Sequence, residues 1–233
     1  MKSIAKPFNL MKWIHEHRDE FKPPVMNKQF FKGADDVIVF VSTGPNTRND
    51  YHVNPTEELF YQLKGDIAVR VRPLDGSKPH DVIIREGEMF LLPRWVPHRP
   101  QRPAGTLGLI VEFPRRDASG RTLDDGLRWY CPRCDALVHE AKFRMSRIDQ
   151  DLHRVMDNFW NGPEKRRTCP ECGFVIQRAG TIEIRQGKVR PAEGGGKRAR
   201  SSSVRRKATA ARKRSGGARR TPATAGSGRR KAR

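Results

Sequence analysis

The chain of 233 residues lacks any apolar run approaching membrane-spanning length, and its start, Met1-Lys-Ser-Ile-Ala-Lys-Pro, has no apolar core of the kind used for export. No membrane partner is therefore expected, and a cytoplasmic location is. Cysteine is scarce, four in all, and occurs only as the pairs Cys131/Cys134 and Cys169/Cys172. In a reducing compartment two C-x-x-C pairs predict metal binding rather than disulfides. Acidic residues are absent from Gly194 to Arg233, which holds fifteen Lys or Arg, so the net charge of +21 falls to +6 for positions 1–193. The body is an ordinary soluble domain that carries a basic tail. From Pro191 onward Gly, Ser, Ala, Arg and Lys dominate and leave too little apolar surface to fold, so 191–233 is expected to be disordered.

Room for crossover helices is also missing between Asp35 and Pro114, which excludes a parallel α/β sheet there. What fills it is a series of short apolar or alternating runs, 37–41, 59–63, 67–71, 82–84, 89–92 and 107–113, separated by Gly or Pro. Their regular spacing predicts a closed or nearly closed antiparallel barrel over 35–115, in an all-β-dominated chain. Ahead of it, over 1–34, Asn9 can cap a short helix carrying Leu10, Trp13, Ile14 and Phe21, ended by Pro23-Pro24. His15 and His17 diverge on that helix and are read as solvated or packing residues. After a linker over 115–120, the segment 116–190 reads as a small four-cysteine module around a helix over 141–159, followed by a strand over 181–184. His80, His139 and His153 show no ligand spacing.

Chemistry concentrates in Gly44-Pro-Asn-Thr-Arg-Asn-Asp-Tyr-His-Val-Asn-Pro-Thr-Glu-Glu-Leu-Phe-Tyr-Gln-Leu-Lys-Gly65. His52 on a loop edge and a Glu opening the next strand can aim at one centre, giving two thirds of the two-His, one-carboxylate face that suits non-haem ferrous iron. Spacing alone leaves Glu57 and Glu58 in competition, and strand alternation lets only one of them face inward. The third ligand is His98, in Gly87-Glu-Met-Phe-Leu-Leu-Pro93-Arg-Trp-Val-Pro-His98. The two cysteine knuckles offer four thiolates to a tetrahedral zinc or a rubredoxin-like iron, between which the donors do not choose.

The paired His motifs resemble those of the cupin superfamily, although Asp50 stands where four-ligand cupins carry a further His. Lys22-Pro-Pro-Val-Met-Asn27, Gly44-Pro-Asn, Asp50-Tyr-His52, Glu57-Glu58-x-Phe60-Tyr61-Gln62, Pro97-His98-x-Pro100-Gln101-Arg102-Pro103 and the Cys-Pro-x-Cys pairs together resemble the 3-hydroxyanthranilate 3,4-dioxygenase family over about 7–180. The resemblance implies a cupin barrel with catalytic Fe(II) on His52, Glu58 and His98, and places the substrate-binding residues at Arg48, Arg102, Glu112 and Glu58, the first three of them also catalytic. It further implies 3-hydroxyanthranilate and O2 as substrates, a product that closes to quinolinate, a second Fe or Zn on Cys131, Cys134, Cys169 and Cys172, and a homodimer. Two arginines suit the ring carboxylate, and Glu112 suits a proton from the chelating hydroxyl or amine. Asp50 would support a ligand or Arg48. The tail, with clusters at 205–207, 212–214 and 229–231, lies outside the resemblance and could make sequence-blind nucleic-acid contacts. Competing readings are another cupin aminophenol dioxygenase, and a nucleic-acid-binding regulator with a ligand-sensing cupin, a zinc ribbon and the basic tail.

Overall fold

The computed structural model describes residues 4, 6–23 and 25–192. It begins with helix α1, Leu10–Glu16, where the Asn9 side chain accepts from the Lys12 backbone N–H at 2.9 Å, as an N-cap should. The helix ends earlier than its apolar spacing predicts. His17 leaves it, stacks on Trp13 with ring centroids 4.3 Å apart, and hands over to a tighter turn at Arg18–Glu20. Phe21 lies beyond the helix and is buried in a small cluster with Phe30, Val41 and Leu107.

Two antiparallel sheets follow. The first contains β1 (Asn27–Phe30), β2 (Ile38–Thr43), β4 (Glu58–Lys64), β7 (Met89–Leu92) and β9 (Leu107–Glu112), in the order β1-β2-β9-β4-β7. The second contains β3 (Asp50–Val53), β5 (Ile67–Val71), β6 (His80–Ile84), β8 (His98–Gln101), β10 (Asp125–Tyr130) and β11 (Leu137–Phe143), in the order β11-β10-β3-β8-β5-β6. Consecutive strands repeatedly change sheet, so the chain winds into the antiparallel barrel that the spacing of its short strands predicts. Phe40, Phe60, Ile67, Val69, Ile84, Leu92, Ile110 and Leu127 fill its interior.

Three expectations need correction. The barrel limits 35–115 stop short of β1, β10 and β11, all hydrogen-bonded into the two sheets. The linker over 115–120 opens on a buried residue, Arg115, tied to the barrel by ion pairs. The helix over 141–159 is shorter: 137–143 is strand β11, and helix α2 spans Ile148–Trp160. Pairing with β10, a long-range event, overrides the local helical pattern of 141–143. Helix α2 then packs Ile148, Leu152, Val155, Met156 and Phe159 into the barrel's core, at the spacing of a single helix face. The strand expected over 181–184 is β12 (Ile182–Arg185), which pairs with β13 (Lys188–Pro191) in a separate hairpin. Apart from its first two residues, the basic tail lies outside the described residues.

Candidate active site and metal centres

β3 and β8 meet so that His52 and His98 are directly opposed, with ring centroids 5.2 Å apart. Glu58 opens β4 in the facing sheet, and its inward side chain is buried, whereas Glu57 is exposed. One donor atom from each of His52, Glu58 and His98 falls within 4.8 Å of the others. Neighbours set the two imidazoles. His98 donates from Nδ1 to the Val96 carbonyl at 3.0 Å, which turns a bare Nε2 toward Glu58 Oε2, also 3.0 Å away. His52 directs Nε2 at Asp125 Oδ1, 3.3 Å away, which leaves Nδ1 facing Glu58 Oε2 at 3.9 Å.

Glu58 Oε2 and His98 Nε2 are nonetheless buried without a hydrogen-bond partner. Buried acceptors that converge at this range call for a cation between them. An N2O donor set with vacant neighbouring positions suits ferrous iron, so the residues fit the metal. Burial opposes the charge of Glu58, but His98 and His52 when protonated, with Arg115 behind them, outweigh it and hold the carboxyl to about 2.

A cavity opens from this triad, and Arg48, Arg102 and Glu112 all line it. Its other walls are Asn27, Ser42 and Asn46 on the polar side and Phe40, Phe60, Ile110, Ile148 and Leu152 on the apolar side, so helix α2 closes part of the site. Arg48 is tied to Asp50, with Nη2 to Oδ2 at 2.5 Å, which puts Asp50 beside Arg48 rather than beside a histidine. Arg102 is more deeply buried and donates from Nη1 to Gln62 Oε1 at 3.3 Å. Burial draws its pKa down to about 10, Arg48 adds to the effect, and Glu58 opposes it. It is still a cation at neutral pH. Burial pushes Glu112 up to about 7; Arg115 pulls against this, while the negative charge of Glu58 adds to it.

Several residues that sequence reasoning did not single out hold this arrangement. Arg115 donates from Nε to both Asp125 oxygens, at 2.8 and 3.0 Å, and from Nη2 to Glu112, so a single guanidinium joins the carboxylate behind His52 to the one in the cavity. Gln62 donates to the Lys64 carbonyl, and this fixes its own oxygen toward Arg102. Asn46 brackets the backbone of 100–102, donating to the Pro100 carbonyl and accepting from the Arg102 N–H, both at 2.9 Å. A Cβ at Gly108 would lie 2.8 Å from Arg102 Nη1 and 2.9 Å from Gln62 Oε1, so this position needs a glycine. Of these residues only Asn46 and Gln62 carried a sequence signal, as members of the Gly44-Pro-Asn and Glu57 to Gln62 motifs.

The four cysteines converge as well. Cys131 Sγ lies 3.6 Å from Cys172 Sγ, and Cys134 Sγ 3.5 Å from Cys169 Sγ. Those spacings approach the ~3.7 Å edge of a tetrahedron with metal–sulfur bonds of about 2.3 Å. Each knuckle closes alike, with the Asp135 N–H on the Cys131 carbonyl and the Gly173 N–H on the Cys169 carbonyl. Both closing residues take positive φ, 65° and 69°. His139 stacks among Trp129 and Phe159, and His80 lies on the exposed end of β6; neither approaches a metal centre.

The sequence model of the 3-hydroxyanthranilic acid dioxygenase family matches residues 2–160. The 3-hydroxyanthranilate 3,4-dioxygenase of Ruegeria pomeroyi is 45% identical over 188 residues, 80% of this chain and 94% of the relative. That of Brucella anthropi is 46% identical over 169 residues, 72% of this chain and 90% of the relative. With the convergent triad and the arginine-lined cavity beside it, these matches place the chain in the 3-hydroxyanthranilic acid dioxygenase family.

Proposed function

We propose that the protein cleaves the ring of 3-hydroxyanthranilate with O2, giving 2-amino-3-carboxymuconate 6-semialdehyde, with His52, Glu58 and His98 holding catalytic Fe(II). The observation that carries this reading is the pair of buried cations, Arg48 and Arg102, lining the same cavity as the two-His, one-carboxylate triad. Bound there, ferrous iron would supply the centre at which an aminophenol and dioxygen react.

The chain's own residues supply the rest. Arg102, held by Gln62 and Asn46, anchors the ring carboxylate by charge-assisted hydrogen bonds, and Arg48, which lines the same cavity, completes the clamp. Phe60, Ile110, Ile148 and Leu152 enclose the ring and exclude water. Glu112, with its affinity for a proton raised toward neutrality, takes the proton of the substrate hydroxyl at its carboxylate oxygen, and Arg115 stabilises the carboxylate that must be present before the transfer.

The four cysteines hold a second iron or a zinc that clamps the C-terminal segment to the end of β10. A cytoplasmic homodimer fits the family, and among the described residues no helix is long and apolar enough to cross a membrane. The test is to load the protein with Fe(II) without air, add 3-hydroxyanthranilate and then oxygen. Stoichiometric oxygen uptake with quinolinate as the final product is expected. Equal turnover of 2-aminophenol, which lacks the carboxylate, would instead favour a less selective aminophenol dioxygenase.

A further inference from the structure

A second site lies on the outer face of the sheet whose inner face carries the histidines. Strand alternation turns His52 and His98 inward and their neighbours Tyr51 and Arg99 outward. The register of that sheet sets Arg70 directly opposite both Arg99 and Asp81. Tyr51, Arg70, Arg72, Arg99, Tyr130 and Asn49 line a broad groove there, which shares no residue with the catalytic cavity.

Charge is unevenly matched in this groove. Arg70 pairs with Asp81 at 3.2 Å, and Arg72 pairs with Asp135 while lying over the Tyr130 ring, 3.5 Å from its centroid. Arg99 has only a neutral hydrogen bond, Nη2 to Gln101 Oε1 at 3.2 Å, with the Tyr51 ring centroid 5.2 Å away. Among the described residues no carboxylate lies within 4 Å of it. Its Nε is buried with no partner, as are Arg72 Nε and the acceptor Asn49 Oδ1. Arg70 and Arg99 are opposed across the strand pair, and only Arg70 has a carboxylate in direct contact, so an anion shared between them would relieve their repulsion.

We infer that this groove binds a small oxyanion that also carries a hydroxyl, a hydroxycarboxylate or a hydroxyl-bearing phosphate ester, with its anionic oxygens on Arg99 and Arg70 and its hydroxyl on Asn49. Guanidinium forks suit the planar or tetrahedral oxyanion, and the Tyr51 ring offers an apolar floor. The inference does not rest on the catalytic reading, because no residue lines both the groove and the triad's cavity, although the groove reaches Cys131 and Cys134 of the four-cysteine cluster.

Thermal melts of the full-length, metal-loaded protein test it, using malate and glycerol 3-phosphate against sodium chloride of equal ionic strength. The wild type should melt roughly 3 °C or more higher in at least one of the two. Which one works identifies carboxylate or phosphate as the ligand chemistry. Arg99→Gln, which relieves an uncompensated buried charge, should melt no lower than wild type in chloride and should lose the rise. The basic tail is intact in both proteins, so an equal rise in the variant would mean that the anion binds elsewhere and would overturn the inference. So would no rise in the wild type, a variant that melts lower in chloride, or sedimentation showing that Arg99→Gln dissociates an oligomer whose second copy covers this face.

Discussion

Glu58 and Glu112 are directly opposite each other on the neighbouring antiparallel strands β4 and β9, and both are almost wholly buried. Two carboxylates so placed do not ionise equally, and their partners decide between them. Glu58 faces two imidazoles, whereas Glu112 faces a single arginine that it shares with Asp125.

Isosteric amides should separate the two roles. Glu58→Gln is expected to lose the metal, whereas Glu112→Gln should keep it and lose about 10²-fold or more in kcat/KM, the size of a general-base contribution. Metal analysis alongside oxygen-uptake kinetics decides. A Glu112→Gln protein that comes out of purification without metal would reverse the assignment.

Asp125 accepts at the His52 ring nitrogen that faces away from the triad, so on the proposed reading it would act on a bound metal through His52. Asp125→Asn removes the charge that fixes the ring's proton and orientation, so metal affinity should fall by about 10–100-fold. Competitive titration with a chelator measures this directly, and unchanged affinity would make Asp125 merely a partner of Arg115.

Gly108→Ala probes the arginine anchor without touching a ligand. The added methyl would meet the Arg102 guanidinium at 2.8 Å and the Gln62 oxygen at 2.9 Å, so Arg102 must move. Misplacing one charge-assisted hydrogen bond costs about 1.5–3 kcal/mol, so KM for 3-hydroxyanthranilate should rise on the order of 10–100-fold with metal content unchanged. An unaltered KM would show that Arg102 does not bear on the substrate.

Stability carries its own pH signature at the start of α2. The Asp151 carboxylate accepts from the backbone N–H groups of Ser146 and Arg147, both at 2.8 Å. Burial opposes its charge, but those two donors, together with Arg154 and the Ser146 hydroxyl, hold its pKa to about 2. A folded-state pKa depressed below the unfolded value stabilises the protein above about pH 4, and that stability is lost as pH falls toward 2. Asp151→Asn should therefore cost about 1–2 kcal/mol at pH 7 in denaturant unfolding, and the gap to wild type should close between about pH 4 and pH 2. A gap that does not change with pH would assign the effect to packing.

Much of this was legible along the chain because it is local. Asn9 caps α1, Gly or Pro punctuates each strand of the barrel, and the C-x-x-C knuckles need only short turns to present their thiolates. Runs whose structure depends on a distant partner were not legible. The end of β11, 141–143, reads as the start of a helix until β10 pairs with it, and β3 and β8, the strands that hold the two histidines, are only four residues long. Neither has enough length to show a period on its own.

The sequence by itself determined the residue types available for chemistry: two histidines and a glutamate at metal spacing, four thiols in two knuckles, and an arginine beside each histidine motif. Only the tertiary structure decided that Glu58 rather than Glu57 faces the histidines, that Asp125 rather than Asp50 backs His52, and that Arg115 joins Asp125 to Glu112. The physical reason is that ligand types and turn signals are encoded residue by residue. Which carboxylate is buried against which cation depends instead on register between strands far apart in the chain, where a shift of one residue would turn every side chain to the opposite face.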